Sequence, residues 1–173
     1  MITEPNTDLW QRTYYGFSNE NAPALLMTTD ESFFSVSVRT DFESEHQFDQ
    51  CGVIIYLDPD NWFKASVEYE NNIFQRLGSV VTNQGYSDWA TTDIDAKIKW
   101  MYYRLSRRKS DYCIENSMDG IHYKQMRIFH LTAGSGKINL GLYACSPGQS
   151  SFKATFTEMQ VTECKWAPYQ SNI

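Results

Sequence analysis

The chain contains 173 residues and has a formal net charge of −6, with 21 acidic and 15 basic side chains. Lys and Arg concentrate only in residues 104–109, which is too little for the basic face that nucleic-acid binding usually requires. The first residues lack the basic start and apolar middle of a secretory signal, and no apolar run approaches the roughly 20 residues of a membrane helix. We therefore expect a cytoplasmic protein whose partners include neither nucleic acid nor a membrane.

The composition is typical of a β-protein, since aromatic residues make up 15% of the chain and pack well on pleated sheets. The length suits a single domain over residues 1–173. The four cysteines are widely spaced and form no metal-binding pattern with histidine, so we expect reduced thiols and neither a metal nor another cofactor. Two disulfides are the alternative if the protein is exported. The cysteines are Cys51, Cys113, Cys145 and Cys164.

Alternation of apolar and polar residues predicts a series of short strands. They cover 32–42, 50–57, 61–70, 73–83, 93–100, 111–117, 121–127, 137–145 and 152–161. The alternation changes phase at 101–103, which indicates a bulge or a new strand. Asp58-Pro59-Asp60 predicts a turn, and Met118-Asp119-Gly120 predicts a hairpin. No helical period extends beyond two turns, so the series predicts an all-β sandwich or barrel.

The strand predicted over 61–70 has two faces of opposite character. Its apolar set is Phe63, Ala65, Val67 and Tyr69, and its other set is Trp62, Lys64, Ser66, Glu68 and Glu70. Because successive side chains of a strand point to opposite sides, the first set can enter a core while the second faces away from it. An aromatic ring, a cation, a hydroxyl and two carboxylates on one side suit a wall that contacts a polar ligand such as a sugar.

Four ordered segments carry a resemblance to a known family. They are GVIIYLDPDNWFKASVEYE, SVVTNQGYSDWA, YYRLSRRKSDY and LGLYACSPGQSSFKATFTEM, within about residues 8–165. Together they resemble the DUF1349 family, which includes bacterial proteins encoded near polysaccharide-degrading enzymes and a yeast protein linked to enolase regulation. The family is similar in fold to concanavalin A-like lectins and glucanases. The resemblance therefore implies a jelly-roll sandwich of two curved antiparallel sheets.

The resemblance also implies a ligand groove on the concave sheet face. The polar side of 61–70 would line this groove, with further residues sharing the face and Tyr86, Asp88 and Trp89 on a loop at its rim. We therefore predict binding of a carbohydrate or sugar-derived small molecule. The predicted ligand-binding residues are Tyr56, Trp62, Lys64, Tyr86, Asp88, Trp89, Arg104 and Tyr143.

A glycoside hydrolase is the first alternative. Glu68 and Glu70 lie two positions apart on one strand, so their Cα atoms are about 6.5–7 Å apart. Catalytic carboxyl groups are about 5–5.5 Å apart in retaining glycosidases and about 6.5–9.5 Å apart in inverting ones, so the spacing permits Glu68 with Glu70 as a catalytic pair. Asp88 is the alternative partner for Glu68. Glucanases of the similar fold commonly carry Glu-x-Asp-x-Glu on one strand, whereas this chain has Ser66 at the position of the first acid. Ion-paired structural carboxylates are the competing interpretation.

Other interpretations also stay open. The aromatic residues also suit a core, and Arg104 also suits an ion pair with Glu68 or Asp88. The segment from Asp58 to Asn61 fits a plain turn better than a calcium loop, so no metal site is predicted. The last alternative is a protein-interaction module that regulates a metabolic enzyme, and exposed sandwich edges also allow a homodimer.

Overall fold

The alternating pattern produces strands along almost the whole chain. The computed structural model describes residues 1–170, and this range contains thirteen strands and no helix. The strands are β1 Leu9–Gln11, β2 Ser18–Glu20, β3 Ala24–Thr29, β4 Phe33–Phe42, β5 Gln50–Asp58, β6 Asn61–Tyr69, β7 Phe74–Asn83, β8 Tyr86–Asp95, β9 Trp100–Arg108, β10 Asp111–Ser117, β11 Lys124–His130, β12 Ile138–Cys145 and β13 Ala154–Thr162. No helix able to cross a membrane occurs between residues 1 and 170. The domain predicted over 1–173 includes residues 171–173, which lie outside the described range.

Two large antiparallel sheets form the body of the protein. One has five strands in the order β11-β10-β9-β4-β13, and the other has six in the order β3-β12-β5-β6-β7-β8. The short strands β1 and β2 pair with each other as a separate hairpin. This arrangement confirms the predicted all-β sandwich of two antiparallel sheets.

The main core lies between the two large sheets. Phe63, Ala65 and Val67 of β6 are buried there, opposite apolar residues of β4, β9 and β10. Phe63 stacks on Phe129 of the other sheet, with ring centroids 4.1 Å apart and planes 17° apart. The predicted division of β6 into an apolar and a polar face is therefore confirmed for these three residues.

A second apolar cluster covers the opposite face of the six-stranded sheet. It consists of Leu9, Trp10, Ile54, Trp62, Val80, Tyr143 and Cys145. Leu9 and Trp10 belong to residues 1–22, called the N-terminal arm below, whereas the other members belong to the sheet. Backbone hydrogen bonds tie the arm to the segment after β12, with Thr7 N donating to Ser146 O at 3.1 Å and Asn6 N donating to Gly148 O at 3.0 Å. The arm thus converts part of an outer sheet face into a second interior.

Several predicted boundaries need correction. The strand predicted over 93–100 is wrong, because β8 ends at Asp95 and β9 begins at Trp100. Tyr86–Trp89, predicted as a loop, begins β8. The reason is a tight hairpin at Gln84 and Gly85, whose φ angles are +53° and +76°. Positive φ at both central residues gives the twist that a two-residue hairpin needs, so β8 starts directly after the turn.

The predicted turn before β6 is present, and the carboxylate of Asp58 holds it together. Asp58 Oδ1 accepts from Asp60 N and from Asn61 Nδ2, each at 2.9 Å. Both bonds stay within the turn, so the turn is held by local hydrogen bonding of a kind that Asp commonly provides. The strands β1, β2 and β3 were not predicted, since β1 and β2 are only three residues long and β3 does not alternate.

Leu9→Ala should destabilise the fold through loss of the second cluster. Leu9 is 2% exposed, so removing its side chain leaves a cavity beneath the arm and should cost about 2–5 kcal/mol. Leu25→Ala is the matched control, because Leu25 is 66% exposed and should change stability by no more than about 0.5 kcal/mol. Urea denaturation measures both variants. Equal values for the two would show that the arm is not part of the cooperative fold.

Candidate functional site

A pocket of about 430 Å³ opens between the N-terminal arm and the outer face of the six-stranded sheet. Its walls are largely aromatic and its floor is polar. The wall residues are Trp10, Tyr15 and Phe17 from the arm, Phe48 before β5, and Trp89 from β8. The floor residues are Gln50, Lys64, Ser66, Glu68 and Arg76. The polar side of β6 therefore reaches the pocket from Lys64 to Glu68.

The register of β5, β6 and β7 explains why the floor is hollow. Three rows of cross-strand neighbours run side by side: Gln50–Glu68–Arg76, then Gly52–Ser66–Gly78, then Ile54–Lys64–Val80. Directly opposed residues have their Cβ atoms only about 4.5–5.5 Å apart, so each row forms a continuous ridge or furrow. The middle row has two glycines and a serine, which makes it a trough between two rows of large side chains.

The surroundings require glycine at position 52 and are tight at position 78. A Cβ atom at Gly52 would lie 1.9 Å from Ala65 O, and one at Gly78 would lie 3.1 Å from Trp89 Nε1. The indole of Trp89 therefore lies against Gly78 and forms a wall of the pocket. A Cβ atom at position 78 would also lie 3.0 Å from Thr91 Cγ2, so any side chain there would be in tight contact with β8.

The amide of Gln50 organises the polar floor. Its Oε1 accepts from Lys64 Nζ and from Tyr143 Oη, both at 3.0 Å. Its Nε2 donates to Glu68 Oε2 at 2.9 Å and to Phe48 O at 3.2 Å. The donors and acceptors around the amide thus define which end faces Lys64 and which faces Glu68.

Lys64 is a buried cation held from two sides. Its side chain is only 4% exposed, and Nζ also lies 3.4 Å from Asp8 Oδ1 of the arm. Burial by itself would lower the pKa of Lys64, but the neighbouring Asp8, Cys145 and Glu68 outweigh that effect and raise the pKa above its ordinary value. The lysine therefore stays protonated, and its charge is balanced inside the protein.

Glu68 has the chemistry of a proton donor or acceptor near neutral pH. Burial raises the pKa of Glu68 to about 7, and the neighbouring Asp8 and Glu70 add to this, whereas Lys64 and Arg76 act against it. Glu68 Oε2 accepts from Gln50, while no donor within residues 1–170 forms a hydrogen bond with Oε1. The free oxygen belongs to a residue that lines the pocket, where it is available to a ligand.

Arg76 carries donors that the protein leaves available. Its guanidinium lies over the Trp89 ring at 5.4 Å, and Glu70 Oε2 lies 3.5 Å from its Nε. Across the described part of the chain, no acceptor forms a hydrogen bond with either Nη atom. The side chain is 32% exposed and lines the pocket, so both Nη groups can reach a bound molecule.

The predicted ligand-binding residues are only partly brought together. Of that set, Lys64 and Trp89 line the pocket, and so does Glu68, which was predicted as a catalytic residue. Trp62 was placed wrongly as a groove aromatic, because it is fully buried and its Nε1 donates to Pro59 O at 3.1 Å. Tyr143 is likewise fully buried below Gln50.

The remaining predicted residues lie away from the pocket. Arg104 was placed wrongly, because it is on β9 of the other sheet and binds both carboxylate oxygens of Glu115 at 2.7 and 2.9 Å. Tyr86 and Asp88 alternate with Trp89 along β8 and face the other way, where Asp88 Oδ1 contacts Arg127 Nη2 at 2.6 Å. Tyr56 packs against the second cluster without lining the pocket.

The two predicted carboxylate pairs are not assembled in the pocket. Glu70 lies beyond the end of β6, where Oε1 accepts from Gln47 Nε2 at 2.9 Å. Asp88 faces the opposite side of its sheet. The carboxylate that lines the pocket together with Glu68 is Asp8.

Several pocket residues were missed by reasoning from the sequence. They are Asp8, Trp10, Tyr15, Phe17, Phe48, Gln50 and Arg76. A local signal existed for Arg76, since Arg76, Gly78 and Val80 share one side of β7 by alternation. For the arm residues no local signal existed, because their approach to β6 is a contact between distant parts of the chain.

The fold and pocket define a β-sandwich protein with a ligand-sized hollow on an outer sheet face. The chain belongs to the DUF1349 family, whose model, described as a protein of unknown function, matches residues 1–164. This confirms the resemblance noted from the sequence. The chain is also 30% identical over 162 residues to "Regulation of enolase protein 1" of Saccharomyces cerevisiae, covering 94% of this chain and 80% of the yeast protein.

Solved structures share the fold. A functionally unknown protein from Saccharomyces cerevisiae matches with a TM-score of 0.86 and 30% identity, over 94% of this chain and 86% of that one. A xylan β-1,4-xylosidase from Bacillus halodurans C-125 matches with a TM-score of 0.70 and 14% identity, over 84% of this chain but only 30% of the enzyme. At that identity the likeness to the xylosidase is one of fold alone.

Glu68→Gln should change how stability depends on pH. The pKa of Glu68 is about 7 in the folded protein against an ordinary value of 4.5, so between these values the folded state binds more protons than the unfolded state. The stabilising contribution of Glu68 is therefore complete below pH 4.5 and is lost as the pH rises through about 7. Relative to wild type, Glu68→Gln should gain up to about 3 kcal/mol between pH 5 and pH 8.

Urea denaturation at pH 5, 6, 7 and 8 measures this difference. Glu45→Gln is the control, because it changes the net charge equally at an exposed position. If the two variants show the same pH dependence, Glu68 titrates in the folded protein as it does in the unfolded chain.

Proposed function

We propose that the protein binds a carbohydrate or a sugar-derived small molecule in the pocket beneath the N-terminal arm. The observation that supports this is the combination of aromatic walls with a floor of charged and amide groups. The C–H groups of a sugar ring pack against aromatic faces, while its hydroxyls need several donors and acceptors at fixed positions. Oε1 of Glu68 and the two Nη groups of Arg76, none of which has a hydrogen-bond partner within residues 1–170, supply such positions.

The size of the pocket supports a small ligand. Its volume of about 430 Å³ falls within the range of about 300–1,000 Å³ that small-molecule sites usually occupy. Ser66 and Gly78 of the trough line the pocket and provide depth, and the arm provides a side wall. A single sugar unit or a short oligosaccharide fits these dimensions better than a long chain lying flat.

Trp89→Ala should weaken sugar binding by about tenfold, because loss of an aromatic wall typically costs on the order of 1 kcal/mol or more. Tyr86→Ala is the matched control from the same strand, since its side chain faces away from the pocket, and it should leave affinity unchanged. A glycan array identifies binders, and calorimetric titration measures the affinity of each variant.

The absence of any bound glycan, or equal losses in Trp89→Ala and Tyr86→Ala, would contradict the proposal. If the protein also hydrolyses the bound sugar, Glu68 would act as the proton donor and Asp8 as the second carboxylate. Turnover of a bound glycoside that disappears in Glu68→Gln, while binding remains, would identify an enzyme.

Regulation of a metabolic enzyme through protein contact is the second candidate. The relative named for enolase regulation favours it, and so does the turn of the arm, where Tyr14, Tyr15 and Phe17 are exposed together. Exposed aromatic groups of this kind are common at protein interfaces.

We also propose a cytoplasmic location, which four unpaired cysteines support.

Tyr14→Ser should reduce copurification of enolase if this second function holds, because Tyr14 is 93% exposed at the tip of the arm. Tyr169→Ser is the control, since Tyr169 is 91% exposed at the other end of the chain. Equal recovery of enolase with both variants would exclude the arm as the contact surface.

A further inference from the structure

We propose that the ligand of this pocket carries a carboxylate, as a uronic acid does, and that Arg76 and the protonated carboxyl group of Glu68 bind it together. This inference rests on the proposed sugar-binding function and names the chemical class of the sugar. It follows from which donors of the charged groups in the pocket are already hydrogen-bonded within the protein and which are not.

Arg76 pairs with Glu70 through Nε, but its two terminal Nη groups remain available to a ligand. The ion pair brings Glu70 Oε2 to 3.5 Å from Nε, and neither Nη group has a hydrogen-bond acceptor within residues 1–170. Asp93 is opposite Arg76 in the β7–β8 register, yet no ion pair within 4 Å joins them. Contact with the Trp89 ring holds the guanidinium in place. A planar fork of two free donors matches the two oxygens of a carboxylate.

The second cation of the pocket is already committed. Lys64 donates to Gln50 Oε1 at 3.0 Å and lies 3.4 Å from Asp8, and it is 4% exposed. A ligand anion would have to displace one of these partners to pair with it. The pocket therefore offers one cation for one negative charge.

Glu68 is placed to be the second donor. It is directly opposite Arg76 in the β6–β7 register, so both side chains rise from adjacent strands on the same face. Gln50 Nε2 occupies Oε2, which leaves Oε1 for the proton and for the ligand. An ionised Glu68 would repel a carboxylate, whereas a protonated Glu68 donates a hydrogen bond to it.

The groups around Glu68 determine its protonation. They are Asp8 on the arm, Lys64 on β6, Glu70 after β6, Arg76 on β7, and Tyr143 and Cys145 on β12. Burial together with the two acidic neighbours raises the pKa of Glu68 to about 7. A bound anion adds a further negative charge beside it, so binding favours the protonated form more strongly.

A single carboxylate suits the site better than a phosphate ester. A phosphate monoester carries about −1.5 to −2 charges at pH 7, whereas the site offers one available cation and one neutral donor. Asp8 and Glu70 both lie close enough to raise the pKa of Glu68, and they would repel the second charge.

The proposal predicts a specific dependence on pH. Above about pH 7 Glu68 is mostly ionised, so it must take up one proton when an acid sugar binds. The affinity for the acid sugar should therefore fall above that pH, by a factor that approaches ten for each pH unit. Below that pH the carboxyl group is already protonated, and the affinity should level off. Neutral sugars need no such proton and should bind with little dependence on pH.

Calorimetric titration of the full chain with matched sugars tests the proposal. The pairs are glucuronate with glucose, galacturonate with galactose and mannuronate with mannose, each at pH 6, 7 and 8, with glucose 6-phosphate as a further probe. We expect one acid sugar to bind at least tenfold more tightly than its neutral partner at pH 6. Its affinity should fall by pH 8, and the measured enthalpy should depend on the buffer in the way that proton uptake requires.

Variants separate the two donors. Arg76→Gln should remove the preference for the acid sugar, and Arg76→Lys, which keeps the charge but not the fork, should restore only part of it. Glu68→Gln should make acid-sugar binding independent of pH. Arg127→Gln is the control, because Arg127 pairs with Asp88 outside the pocket and should leave every titration unchanged. Thermal melts of all variants confirm that they are folded.

The outcomes distinguish this inference from the function on which it rests. Equal binding of acid and neutral sugars would overturn the inference and leave the proposed function intact. Tighter binding of glucose 6-phosphate than of any acid sugar would also overturn it. Failure of every sugar to bind would count against both proposals.

Discussion

The buried ammonium group of Lys64 is the constraint on which the pocket depends. A charged amine that is 4% exposed is costly to bury unless its charge and its donors are satisfied within the protein. Gln50 of the neighbouring strand and Asp8 of the N-terminal arm meet that need from opposite sides. Because Asp8 belongs to the arm, the charge balance of the sheet and the position of the arm depend on each other.

The same hydrogen bonds let the buried core residue Tyr143 fix the orientation of a pocket side chain, Gln50. Tyr143 and Lys64 both donate to Gln50 Oε1, so the amide presents its nitrogen to Glu68. Burial under the arm then raises the pKa of Glu68 into the neutral range. One face of the sheet thus holds Lys64, which stays charged, beside Glu68, whose charge depends on pH. The two groups behave differently because their neighbours differ.

The likeness to the xylosidase does not explain this site. That enzyme shares a sandwich fold with 14% identity, and the matched part is 30% of its length. The trough, the arm and the Gln50 network come from particular residues of this chain. Sandwich folds support many functions, so the chemistry of the pocket has to be argued from Glu68, Arg76 and their neighbours.

The sequence by itself determined the all-β class, most of the strands after β3 and, for β6, which side chains share a face. Alternation is a local property, so it correctly separated Phe63 and Val67 from Lys64 and Glu68. It could not show what covers either face, and for this reason Trp62 was taken for a groove aromatic although the arm buries it. Nor could it assign Arg104 to the other sheet. Only the tertiary structure decided these points, because strand order, register and the docking of the arm arise from contacts between residues far apart in the chain.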